Sequence, residues 1–225
     1  MRTSPENSLL ARYNPDVTAE AGCDEAGRGC LAGSVFAAAV IFPQNYTNPQ
    51  LNDSKKLTAR QRYALRDIIQ RDATAWAIGV VTPEEIDQIN ILNASILAMH
   101  RALDQLRVRP EFIIVDGNRF KPYADIPFRT VVKGDGKYLS IAAASILAKT
   151  CRDDYMHSLH TEYPAYGWDH NAGYPTAAHR EAIRRYGPTP YHRRTFNLTG
   201  DDRQLTFNFG ETATHNDKEQ PSTER

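Results

Sequence analysis

Asp24-Glu25-Ala26-Gly27-Arg28-Gly29 ends an apolar segment with two adjacent carboxylates, a cation and two glycines, and Cys30-Leu31-Ala32-Gly33 then leads into the apolar run Val35 to Phe42. Apolar, turn, apolar at this spacing reads as two paired strands, about 19 to 25 and 33 to 42, with the acids where the first one stops. Successive strand side chains point to opposite faces, so Asp24 and Glu25 serve one site only if the strand bends or ends. Gly27 and Gly29 supply that break. Glycine takes positive φ and admits close backbone approach, so the Gly27-Arg28-Gly29 turn can present N–H groups to a phosphate while Arg28 adds charge. An exposed acidic turn is the rival reading, and the buried strand that follows weighs against it.

Further along, strands alternate with helices. Pro43 to Pro49 has loop chemistry, and Thr58 caps an expected helix over 59 to 71 whose Tyr63, Leu65, Ile68 and Ile69 sit at helical spacing. Ala73 to Val81 reads as a third strand, and Thr82-Pro83-Glu84-Glu85 starts a helix with an apolar face from Ile89 to Leu106. Two short apolar strands follow, Phe112 to Val115 and Phe128 to Val132, and each runs into a carboxylate beside glycine: Asp116-Gly117 and Lys133-Gly134-Asp135. An Ala-rich helix is expected over 137 to 160, and another over 176 to 186, stopped by Gly187-Pro188. This order predicts an α/β layer fold in which functional groups gather where strands end. Residues 1 to 17 read as a flexible lead-in, and 199 to 225 as a disordered tail without hydrophobic periodicity.

A chain of 225 residues suits one catalytic domain, here 18 to 198. Formal net charge is zero, so any nucleic-acid footprint has to be local. Residues 179 to 194 are one candidate: His179, Arg180, Arg184, Arg185, His192, Arg193 and Arg194 face Glu181 alone, although an ordinary solvated helix face gives the same pattern. Three cysteines without a CxxC pair argue against a disulfide framework and a thiolate zinc site, and favour the cytoplasm. With no signal core and no membrane-length apolar run, a soluble protein is expected.

The opening block resembles that of the ribonuclease HII family, the type 2 ribonucleases H. The resemblance continues in family order through Asn52-Asp53-Ser54-Lys55-Lys56-Leu57, Val115-Asp116-Gly117, Lys133-Gly134-Asp135, Ala143 to Lys149, Gly173-Tyr174-Pro175-Thr176 and His192-Arg193-Arg194-Thr195-Phe196. It spans about residues 18 to 198, and ordered blocks are far more specific than one motif. It implies a ribonuclease H-like mixed β-sheet flanked by helices, with a C-terminal helical extension. The implied activity is endonucleolytic hydrolysis of RNA in RNA-DNA hybrids and incision 5′ to ribonucleotides embedded in duplex DNA, by a monomer that meets no membrane.

Hard divalent cations favour oxygen ligands, which Asp24, Glu25, Asp116 and Asp135 offer if the strand ends converge. Four such carboxylates repel one another, so the site should be poorly organised without counter-ions. Taken singly, Asp116 and Asp135 also read as turn aspartates before glycine. The resemblance implies that the first three hold Mn²⁺ or Mg²⁺, two ions with substrate bound, and that Asp135 completes the quartet. For the substrate it implies Gly27, Arg28 and Gly29, with Tyr174 packed against the sugar at the RNA to DNA step. Tyr174 also reads as a helix-start staple. Lys149 either reaches a phosphate or pairs along its helix with Asp153, which stays outside the metal set. One departure is Ala172, where the family usually has lysine, a contact that Lys121, Lys133 or Arg180 would have to supply.

Two rival functions fit parts of this pattern. A glycoside hydrolase also uses paired carboxylates, but only two Trp are present and neither lies near the acids in sequence. A catalytically silent nucleic-acid-binding module would use the basic 179 to 194 segment, yet has little reason to gather acids against a polyanion.

Overall fold

The computed structural model describes residues 9–200. Residues 1–8 of the expected lead-in and 201–225 of the expected tail lie outside the described residues. Strands β1 (Glu20–Ala26), β2 (Val35–Ile41), β3 (Ala75–Val81), β4 (Phe112–Asp116) and β5 (Phe128–Val131) form one sheet. Its order is β3-β2-β1-β4-β5. The first three strands pair antiparallel, whereas β4 runs parallel to β1 and β5 parallel to β4. Every residue of β2 is buried, as a strand covered on both faces requires.

Helices α1 (Ala59–Asp72) and α2 (Pro83–Asp104) both begin with capping boxes, Thr58 with Gln61 and Thr82 with Glu85. Asn90 breaks α2 at φ 64°, and its side chain accepts the N–H groups of Leu92 and Asn93 to restart the helix. Sequence periodicity runs straight through this kink and does not reveal it. α3 (Leu139–Glu162) covers the other face of the sheet, where Ala143, Ala144 and Leu147 pack with Ala38 and Val40. The approach is close: a Cβ on Gly22 of β1 would stand 2.4 Å from the Ser140 carbonyl carbon. Only glycine lets α3 settle so low on β1.

The C-terminal part adds α4 (Trp168–Asn171), unforeseen in the sequence, and α5 (Ala177–Tyr186), capped by Thr176. Trp168, Ile183 and Leu198 bury against Leu31, Ala32 and Met156, so this extension is fused to the loop after β1. The lead-in is pinned from Leu10 onward, contrary to its expected mobility. Leu10 donates to Lys137 at 2.8 Å and accepts from Leu139 at 3.0 Å, and the Arg12 guanidinium is spread over the Val17, Thr18 and Gln44 carbonyls. Thr199, expected to open the tail, is buried and accepts from Arg184 at 2.7 Å. No helix among the described residues is long and apolar enough to cross a membrane.

Candidate active site

The parallel register pairs Cys23 with Val115, and its next step sets Asp24 beside Asp116, where β4 ends. Asp24, Glu25 and Asp116 line one cleft of about 250 Å³, together with Gly27, Arg28, Gly29, Lys149 and Tyr174. Eight of the expected site positions therefore come together from four separate stretches of chain. Ser54, Lys55 and Ser145 complete the wall, none of them singled out from the sequence as a site residue. Asp135 does not line the cleft. It is buried in the turn after β5, its carboxylate 3.1 Å from Lys55 Nζ.

Each acid is held by a local partner. Asp24 accepts the Glu25 N–H at 2.7 Å and a hydrogen bond from Ser145, whose hydroxyl meets that of Ser54 at 2.9 Å. Glu25 pairs with Arg28 at 3.1 Å, and Asp116 accepts the Gly134 N–H at 2.7 Å. Burial and the charges of Glu25 and Asp116 hold the Asp24 carboxyl well above the usual carboxylate range. Burial also raises Glu25, against the pull of Arg28, and raises Asp116, against the Gly134 N–H. With each acid so engaged, no three His, Cys, Asp or Glu side chains among the described residues converge as a ready cage for an ion.

The Gly27-Arg28-Gly29 turn is braced from below. Gly27 has φ +96°, and its carbonyl accepts from Arg193 Nη2 at 2.7 Å, while the Arg28 carbonyl takes Nη1 at 2.9 Å and the Gly33 carbonyl takes Nε at 3.0 Å. Arg152 holds the Ser34, Ala32 and Ala172 carbonyls at 3.0, 3.1 and 2.8 Å. Both guanidiniums are buried, and neither makes an ion pair among the described residues. With the carbonyls drawn inward, the N–H groups of Arg28 and Gly29 have no partner in the chain among the described residues. Across the cleft Tyr174 is 44% exposed, and its ring comes within 3.9 Å of a Cβ built on Gly29.

Two expectations need correction. The basic segment 179 to 194 is not one continuous surface patch: His179, His192 and Arg193 are buried and Arg180 is committed to the Asn197 and Leu198 carbonyls, which leaves Arg184, Arg185 and Arg194 exposed. Arg180 therefore does not replace the lysine missing at Ala172, and Lys121 borders a different cavity beside His100. Asp153 lies 4.0 Å from Arg62 and also feels the charge of Lys149, as expected along the helix, while Lys149 lines the cleft as well. The cations that reach the cleft are Arg28, Lys55 and Lys149. Sequence could mark Lys55 only by its place in the Asn52 to Leu57 block.

A sequence profile of ribonuclease HII matches residues 21–199, a span that contains the whole cleft. The chain belongs to the ribonuclease HII family. The ribonuclease HII of Phocaeicola vulgatus is 70% identical over 201 residues, 89% of this chain and all of that one. That of Bacteroides thetaiotaomicron is 68% identical over the same shares of each chain. In three dimensions the ribonuclease H2 of Pyrococcus horikoshii superposes with a TM-score of 0.69 at 28% identity, covering 80% of this chain and 95% of its own. The expected ribonuclease H-like mixed sheet is thus confirmed by both topology and likeness. As a ribonuclease HII family member the chain is a hydrolase acting on RNA in RNA-DNA hybrids, which removes the glycosidase and the silent binding module from consideration.

Proposed function

We propose that the chain cuts RNA-DNA hybrids endonucleolytically and incises duplex DNA on the 5′ side of an embedded ribonucleotide, leaving a 3′-hydroxyl and a 5′-phosphate. The observation that carries this is the meeting of three carboxylates, unpartnered turn N–H groups and an exposed tyrosine ring in one small cleft. The donor set is all oxygen, and its carboxyls are raised by burial and by one another's charge, the environment that a hard cation relieves. Asp24, Glu25 and Asp116, with Asp135 behind them, would hold Mg²⁺ or Mn²⁺, two ions with substrate bound. Such ions supply Lewis acidity for the attacking water and the departing 3′ oxygen.

The chain's own groups bind and orient. The Arg28 and Gly29 N–H groups receive the phosphate and the 2′-hydroxyl, the one group that marks a ribonucleotide. Lys55 and Lys149 neutralise backbone phosphates, and no nucleophilic side chain is needed. The Tyr174 ring, standing over Gly29, packs on the next sugar and leaves no room there for a second 2′-hydroxyl, which favours a junction. Comparing Tyr174→Ala with wild type tests this: cleavage at a single ribonucleotide should fall while duplex binding holds, because phosphate contacts carry most of the affinity. Unchanged cleavage would remove Tyr174 from the mechanism.

A further inference from the structure

We propose that His179 is a positioning residue for substrate discrimination, the last link of a buried hydrogen-bond chain from Thr189 through His192 that ends on the Tyr174 carbonyl and fixes where the tyrosine ring stands. The inference rests on the reading of Tyr174 given above and extends it to residues that touch no substrate.

The chain has one direction only. His192 Nδ1 accepts the Thr189 N–H at 2.9 Å, so the proton of a neutral ring lies on Nε2, 3.2 Å from His179 Nε2. His179 Nε2 also receives the Trp168 Nε1–H at 3.0 Å and is therefore an acceptor. That leaves the His179 proton on Nδ1, donated to the Tyr174 carbonyl at 2.9 Å. A backbone N–H and an indole N–H can only donate, so both tautomers are fixed from outside. Burial keeps both rings neutral, lowering His179 and bringing His192 down to about 3.

The chain ends where the loop needs it. Ala172 and Gly173 both adopt positive φ, 47° and 81°, immediately before the tyrosine. The Ala172 carbonyl is held by Arg152 and that of Gly173 by the Leu31 N–H at 2.8 Å. The Tyr174 carbonyl is shared by His179 and the Thr176 N–H, so the three carbonyls leading into the ring are all taken. Both histidines belong to the core, whereas the ring is open to the cleft. Through them the core sets a surface ring that has to match a sugar.

Asn and Gln at position 179 separate the roles, since the Asn amide nitrogen takes the place of Nδ1 and that of Gln the place of Nε2. The measurement is kcat on a duplex with one ribonucleotide and on an all-RNA hybrid, for His179→Asn, His179→Gln, Tyr174→Ala and both double variants, with melting temperatures. His179→Gln is expected to lower kcat at the single ribonucleotide by about ten- to a hundredfold, the cost of a displacement near 1 Å, with KM and the hybrid rate moved less. His179→Asn should recover most of that rate. In the Tyr174→Ala background neither change should lower the ratio of the two rates further. A wild-type ratio in His179→Gln, equal losses in Asn and Gln, or losses that multiply with Tyr174→Ala would overturn the proposal while leaving Tyr174 in place. Wild-type cutting by Tyr174→Ala would instead sink the reading beneath it. If His179→Gln does not fold, His192→Asn, which keeps the acceptor for Thr189 and removes the donor to His179, takes its place with the same expected loss, and a wild-type ratio there is equally fatal.

Discussion

Arg193 reaches the Gly27 carbonyl at 2.7 Å across 166 residues of chain, and its guanidinium is wholly buried with backbone oxygens as its partners. Burial brings it down to about 10, still a cation at neutral pH. The arrangement turns the Gly27-Arg28-Gly29 loop so that its carbonyls face the core and its N–H groups face the cleft.

Arg193→Leu leaves the Arg28 and Gly33 carbonyls unmatched in a buried setting, at about 1–3 kcal/mol for each stranded group. A fall in melting temperature is expected, with a further loss of kcat at temperatures where the variant is fully folded. Arg193→Lys should rescue little, because a point charge cannot span three carbonyls. Wild-type kcat in the folded Leu variant would show that the loop holds itself.

Removing a cleft carboxylate should separate activity from stability. Asp24→Asn, Glu25→Gln and Asp116→Asn each take away a proposed oxygen ligand, worth several kcal/mol in the transition state, so hydrolysis should drop about a thousandfold or more. Asp24→Asn also ends repulsion with Glu25 and Asp116, and its melting temperature without added metal should rise. Wild-type rates in saturating Mg²⁺ from any of the three would contradict the assignment.

Salt dependence distinguishes cations that face substrate from those that face protein. Lys55→Met and Lys149→Met should each reduce the slope of log affinity against log salt by about one. Arg180→Gln should leave that slope unchanged, because its guanidinium serves the Asn197 and Leu198 carbonyls. A slope that responds to Arg180 would restore the basic segment as a phosphate contact.

Acid should destabilise the enzyme through His192. Its folded value of about 3 lies below the ordinary 6.5, so the unfolded chain takes the proton first and stability falls as pH drops below about 6.5. By pH 5 this amounts to about 2 kcal/mol. The raised cleft carboxyls act in the opposite sense, adding stability at low pH that is lost as pH rises through their folded values. The diagnostic is therefore a difference: His192→Asn, which cannot take up a proton, should show a shallower loss between pH 7 and 5 than wild type in chemical denaturation. Equal pH slopes would mean that the pair is not neutral in the fold.

Strand ends and helix caps were legible in the sequence because they depend on neighbours in the chain: Asp116 before Gly117, Thr58 before its helix, Pro83 at a helix start. What could not be read was direction. His192-Arg193-Arg194 has the composition of a basic patch, yet Arg193 points inward, because the carbonyls that take its four hydrogen bonds come from the loop after β1. Lys55 and Asp135 are 80 residues apart, and nothing local announces their pairing. The Asn90 kink stayed hidden because Asn is ordinary in a polar helix and only its φ of 64° shows what it does.

A hydrolytic cut made at the cleft of Asp24, Glu25 and Asp116 leaves defined ends. Mapping the cleavage of a labelled DNA duplex with one ribonucleotide, at nucleotide resolution, tests it most directly. The expected result is one cut immediately 5′ to the ribonucleotide, a 3′-hydroxyl on the upstream DNA, a requirement for Mg²⁺ or Mn²⁺, and loss of the cut with EDTA or Asp24→Asn. A cut that persists in EDTA, or one on the 3′ side of the ribonucleotide that leaves a cyclic phosphate, would contradict it.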